Sequence, residues 1–106
     1  MRVYIASPYT IGDVAINVRR SIEAANRVAE AGHFPFVPLL THFWHMMFPH
    51  EYEFWLCQDN EWLAVCDALI RLEGESHGAD MEVEMAKARG LKVFYSVEEF
   101  LNAEAE

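Results

Sequence analysis

Two carboxylic acids break the pattern of the segments that carry them, and together they are a pair of the kind that moves a glycosyl group. Counting about 100° per residue from Ala79, the side chains of Ala79, Val83, Ala86 and Gly90 form one stripe of small residues, while Asp80, Glu84 and Lys87 gather on a polar arc. Glu82 belongs to neither group. It lies at the flank of the inward stripe, about one turn from the expected helix start, where the helix N-terminus favours the ionised form that a nucleophile needs. An ordinary acid of a first helical turn would occupy the same place. In the preceding helix Trp55, Trp62 and Cys66 project along one face and Asp59 falls among them. An aspartate so placed is costly unless paired or protonated, and burial raises its pKa towards the range in which a carboxylic acid donates a proton near neutral pH. A role in bonding nearby backbone suits Asp59 equally. Read together, one carboxylate attacks an anomeric carbon and an acid assists the leaving group, as in retaining glycosyl transfer. The loop Gly74-Glu75-Ser76-His77-Gly78 adds a hydroxyl and backbone N–H groups at a helix start, a favourable place for a phosphate or sugar hydroxyl, but it lacks the lysine and glycine spacing of a P-loop.

The elements that must position these groups alternate. Residues Arg2 to Ala6 read as a short apolar strand, ended by Ser7-Pro8-Tyr9-Thr10. From Asp13 to Gly32 the apolar residues Val14, Val18, Ile22, Ala25, Val28 and Ala29 recur at three- and four-residue steps, which predicts a helix capped by Asp13 and stopped by Gly32. A strand from His33 to Pro38 follows, placed at a sheet edge by Pro35. Leu39 to Pro49 has no clean period and reads as a partly helical excursion. A helix from Glu51 to about Asp67, a buried strand Ala68 to Leu72, a helix from about Ala79 to Arg89, a strand Lys92 to Tyr95 and a short helix Val97 to Ala103 complete the chain. This order specifies an α/β fold, a flavodoxin/Rossmann-like three-layer sandwich with a small, mainly parallel four-stranded sheet. Its ligand site is expected outside the carboxyl ends of the strands, where the loops at Ser7 and Glu73 begin.

The bulk properties narrow the classes. A chain of 106 residues leaves room for one domain, residues 1–106. A formal charge of -9 argues against a nucleic-acid polymer as partner, since such binding relies on clustered Lys and Arg. The hydrophobic share of 53% and aromatic share of 13% exceed the needs of one small core, so self-association is expected. Cys57 and Cys66, on one expected helix, would stand about 13 Å apart at roughly 1.5 Å per residue, too far for a disulfide. No apolar run approaches the roughly 20 residues of a membrane span, and no basic leader precedes an apolar core. The expectation is a cytoplasmic chain without a membrane partner.

With these residues in view, the sequence resembles the nucleoside 2-deoxyribosyltransferase superfamily, which includes the 2'-deoxynucleoside 5'-phosphate N-hydrolases. The resemblance runs from Val3-Tyr4-Ile5-Ala6-Ser7-Pro8 to Lys92-Val93-Phe94, and its most specific part is Ser76-x-Gly78-x-x-x-Glu82-Val83-x-x-Ala86. It implies that Glu82 is the nucleophile, that Asp59, eight residues before Asp67, is the acid, and that Tyr4 orients Glu82. It further implies that Ser7, Pro8, Tyr9, Ser76 and Gly78 bind substrate, with Ser76 matching a serine that the monophosphate hydrolases use on the 5'-phosphate. That match tips the reading towards a nucleotide and towards hydrolysis over base transfer, with no cofactor. Two departures stand out: the loop after the first strand has no arginine, leaving only Arg19 or Arg20 on the next helix, and Glu84 stands where many relatives have glycine.

Other constellations carry less. His42 and His45 are three apart and His50 follows, but no third ligand stands at a recognised metal spacing, so no metal is expected. The aromatic segment 41–48 is expected to pack over the site mouth or across the interface of a homodimer or higher homo-oligomer. A non-catalytic nucleotide-binding module on the same fold is the first rival, weakened by the joint presence of Tyr4, Asp59 and Glu82. A phosphoacceptor receiver-like domain is the second. It would need an acidic cluster where this chain has Ser-Pro-Tyr.

Overall fold

Alternation along the first strand decides the layers. Val3 and Ile5 point to one side and Tyr4 and Ala6 to the other, as a period of two requires, and all are fully buried. The computed structural model, which describes residues 1–105, gives the element order β1 (Arg2–Ala6), α1 (Val14–Glu30), β2 (Phe34–Phe36), a 3-10 turn (Pro38–Thr41), α2 (His42–Met47), α3 (Tyr52–Leu63), β3 (Ala68–Arg71), α4 (His77–Ala88), β4 (Lys92–Phe94) and α5 (Val97–Glu104). Every strand pair is parallel, and the sheet order is β2-β1-β3-β4. The result is a flavodoxin/Rossmann-like three-layer sandwich. On one face Val3, Ile5 and Ile70 pack with Val28 of α1 and Phe100 of α5. On the other, Tyr4 and Leu69 pack with Leu63 of α3 and Ala79, Val83 and Ala86 of α4.

Local signals explain most boundaries. The Asp13 carboxylate accepts from the Ile16 N–H at 3.1 Å and starts α1, while Gly32, at φ +94°, turns the chain out after it. Pro35 lies in β2, an edge strand, where its missing N–H costs the sheet little.

The strands β2, β3 and β4 end one or two residues inside their expected bounds, and two helix boundaries differ in ways that bear on the site. The helix expected to reach Asp67 ends at Leu63, because β3 begins pairing with β1 already at Asp67, whose N–H donates to the Arg2 carbonyl at 2.8 Å. Residues 64–66 are spent reaching the sheet. Cys66 therefore lies outside the helix and is buried, Cys57 is exposed, and both are free thiols. The second difference is at α4, which starts at His77 and not at Ala79, since the Ser76 hydroxyl accepts from the Ala79 N–H at 3.1 Å and caps the helix two residues early. Glu82 consequently sits in the second turn of α4.

Candidate active site

The chain leaves β1 towards β2 on one side and returns to place β3 on the other, so a crevice opens at the carboxyl ends of β1 and β3. A cavity of about 450 Å³ occupies it. Its floor is Ile5, Ser7 and Tyr9 at the end of β1 together with Ser76, Gly78 and Glu82 of the β3–α4 region. Its roof is made by His42 and His45 of α2 and by Trp55 and Asp59 of α3.

Tyr4 reaches the floor from the sheet. It is fully buried mid-strand, faces α3 and α4, and its hydroxyl donates to Glu82 Oε2. Burial, reinforced by the negative charges of Glu82 and Asp59, pushes the phenol above its ordinary range, so Tyr4 stays a donor. Burial also pushes Glu82 up to about 8. The Tyr4 bond works against that rise, the Asp59 charge adds to it, and Arg71 lowers it. Burial alone pushes Asp59 up to about 7. Near neutral pH the two carboxyl groups therefore hold protons that exposed acids would have lost, and their titrations are linked. The helix N-terminus expected to favour an ionised Glu82 lies two residues further from it than the sequence suggests, and burial pushes the carboxyl the other way.

Asp59 meets its expectation by another route. Trp62 is half-exposed and stacks on Phe36 with ring centroids 5.6 Å apart, and Cys66 lies beyond the end of the helix. Asp59 is withdrawn from water because the cavity wall encloses it beside Trp55 and Leu56.

The remaining expected residues divide. Ser7 is buried and lines the cavity, its hydroxyl donating to the Pro8 carbonyl at 3.0 Å. Tyr9 lines it and bonds His42 Nδ1 at 2.6 Å, joining floor to roof. Pro8 packs under Gly74 instead of facing the cavity. Gly74 has φ +126°, and a Cβ there would meet Pro8 Cγ at 2.9 Å, so only glycine lets the loops after β1 and β3 close on each other. Ser76 lines the cavity while its oxygen caps α4. Gly78 lines it too, and a Cβ there would stand 3.4 Å from the Tyr52 hydroxyl. Glu84 faces solvent, 3.9 Å from Lys87, as its place on the polar arc predicts.

Arg71 is the residue that sequence reasoning missed. Closing β3 and buried, it donates to the carbonyls of Leu72, Gly74 (2.7 Å) and Ser76 (3.4 Å) and to Asp80 Oδ1 (2.8 Å), clamping the loop that leads into α4. A lone cation ending an apolar Ala-Leu-Ile strand just before a glycine loop was the available signal. Arg19 pairs with Glu23 at 2.7 Å and Arg20 reaches the Glu73 carbonyl at 3.2 Å; neither lines the cavity. In the roof, His45 Nδ1 accepts from the Trp55 indole at 2.8 Å, and His50 stacks on Phe54 at 3.8 Å. Among the described residues no three His, Cys, Asp or Glu side chains converge as a metal would require. Among the same residues no helix is long and apolar enough to cross a membrane.

Fold and site together define a parallel α/β protein with a pair of desolvated carboxyl groups at the switch in its strand order. Within that class, the chain belongs to the family described as a domain of unknown function (DUF7768), whose model matches residues 1–96. No curated protein sequence matches it. Among solved structures, the 2-deoxyribosyltransferase of the psychrotolerant bacterium Bacillus psychrosaccharolyticus shares the fold, with a TM-score of 0.61 at 19% identity over 88% of this chain and 69% of the other.

Proposed function

We propose that this protein cleaves or exchanges the N-glycosidic bond of a nucleoside or 2'-deoxynucleoside with retention, through a glycosyl ester on Glu82, and that water is its preferred acceptor. The observation that carries the reading is the Tyr4 hydroxyl bonded to the Glu82 carboxyl on the floor of a cavity that also holds Asp59. A fold shared with a 2-deoxyribosyltransferase supports it. In this reading the chain 1–106 works as one nucleoside 2-deoxyribosyltransferase-like domain.

The chemistry balances on these residues. The reacting form is the one in which the pair has lost a single proton and Asp59 keeps the other. Glu82, then ionised and held by Tyr4, attacks C1' as the bond from C1' to the base nitrogen breaks, and the departing base takes the Asp59 proton. Asp59, now a carboxylate, removes a proton from water as that water opens the ester, and Glu82 leaves as carboxylate. A second base in place of water gives exchange. Of the substrates implied by the sequence, the charge balance weighs towards the neutral nucleoside and away from the 5'-monophosphate. Among the described residues the cavity is lined by no Lys or Arg that could hold a phosphate, and Arg71 already has four acceptors. Ser76, Gly78, Ser7 and Tyr9 are assigned to the sugar and its 5' end, with Pro8 setting their loop. The apolar face of α2, exposing Phe43, Met46 and Met47, is assigned to contact between copies of the chain.

The test is to incubate the protein with a panel of nucleosides and their 5'-monophosphates and follow free base by chromatography. Base release by the wild type with loss in Glu82→Ala is the expected result. Equal release by both proteins across the panel would sink the assignment.

A further inference from the structure

Two histidines in the cavity wall are held differently, and the difference fixes what one of them can offer a ligand. His42 Nδ1 faces the Tyr9 hydroxyl, which can donate or accept, so either ring tautomer satisfies that bond. His45 has no such freedom. Its Nδ1 receives the Trp55 indole N–H at 2.8 Å and the backbone N–H of His50 at 3.3 Å, and both of these groups can only donate. Nδ1 is therefore the lone-pair nitrogen, and the ring proton of the neutral imidazole sits on Nε2. Edge contacts with Trp55, at 5.6 Å and 76° between rings, hold the ring orientation. Among the described residues Nε2 has no hydrogen-bond partner, and the ring lines the cavity that contains Glu82 and Asp59.

We propose that His45 is the residue that reads the leaving base, presenting a fixed Nε2–H donor to an acceptor atom on the base, with Trp55 as the positioning residue behind it. The inference rests on the nucleoside reading above and adds a specificity-determining contact to it. An acceptor on the base gains the bond, and a donor placed there meets the N–H head-on and is rejected.

Long-range proton–nitrogen correlation on ¹⁵N-labelled wild type reports the tautomer directly, independently of turnover. The expected result is His45 protonated on Nε2, with Trp55→Phe, which leaves only the longer bond from the His50 N–H on Nδ1, raising the share of the Nδ1-protonated tautomer. In turnover of 2'-deoxynucleosides, His45→Phe should lower kcat/KM roughly three- to tenfold, the loss of one hydrogen bond to a neutral acceptor. His45→Gln, whose amide N–H can stand where Nε2–H stood, should recover most of it. A proton on Nδ1, or equal impairment of the Phe and Gln variants, would overturn the proposal. Should no nucleoside be turned over, titration with free hypoxanthine and cytosine still decides the point. A shift of the His45 Nε2 signal supports base reading although the enzymatic reading has failed, and an unmoved signal rejects it.

Discussion

The floor and the roof of the cavity present polar groups to the same space but are built on different foundations. Tyr4 and Glu82 stand on the sheet: Tyr4 is fully buried in β1, and Glu82 lies beside Val83 and one turn from Ala86, both packed on β1 and β3. His42, His45 and Trp55 stand on α2 and α3, where α2 has six residues and none of them is buried. A short helix of that kind is not self-sustaining. It is held by side-chain ties such as Tyr9 to His42 and Trp55 to His45, and by ring contacts such as Trp44 against Trp55 at 5.0 Å. The floor thus owes its geometry to burial, which the core enforces, while the roof owes its geometry to a few polar and aromatic contacts that a ligand or a second copy could rearrange. On the proposed nucleoside reading, that division keeps the reacting groups fixed on the core and leaves the base to the less buried wall.

Substitutions can break this contrast, and the largest expected effect falls on chemistry. Asp59→Asn should keep the fold and slow base departure by roughly 10²- to 10⁴-fold, the usual contribution of a positioned acid. The loss should shrink for substrates whose base leaves without protonation, and single-turnover kinetics on two such substrates checks it. Unchanged rates would return Asp59 to a structural role. Next is the core beneath the floor: Ile70→Ala, at a fully buried position of β3, should cost about 2–5 kcal/mol by urea denaturation.

Glu82 tests the floor by pH. Its folded value, about 8, lies above the ordinary 4.5, so between those values the folded chain binds a proton that the unfolded chain has released. Stability must then fall as pH rises through this window, because the native state holds more protons than the unfolded one. Glu82→Gln removes the penalty and should gain on the wild type from about pH 5 to about pH 9, by on the order of 2–4 kcal/mol. Parallel stability curves for the two proteins would mean that Glu82 is not desolvated. Tyr4→Phe should cost about tenfold to a hundredfold in kcat, the range for a hydrogen bond to a charged group. Loss of that donor also lets Glu82 rise further, so the acid limb of the pH–rate profile should move to higher pH. The smallest effect belongs to the roof: Phe43→Ser, on the exposed face of α2, should change monomer stability by less than about 0.5 kcal/mol. If α2 joins copies of the chain, sedimentation will show dissociation in that variant.

Much of the floor is legible in the sequence. The apolar strands, the capped and glycine-stopped α1, the edge position of β2 and the crossover order follow from local periodicity and turn chemistry, which act over a few residues. Glu82 stood out for the same reason, since it breaks a 3.6-residue pattern. The roof is legible only in part: segment 41–48 is expected at the site mouth or an interface and Asp59 stands out in its helix, but Leu39 to Pro49 has no period to read, and no spacing links Tyr9 to His42 or His45 to Trp55.

The sequence by itself determined the alternating α/β fold, the small-residue face of α4 and the two acids that depart from their surroundings, because each is written in short-range pattern. Tertiary structure decided the rest. It stopped α3 at Leu63 because the sheet claimed Asp67, set Glu82 in a second turn through the Ser76 cap, and packed Pro8 under Gly74. It also ended β3 with an arginine clamp and fixed His45 as a donor. Each of these depends on groups meeting across the fold, where desolvation and hydrogen-bond satisfaction, and not local propensity, set the outcome.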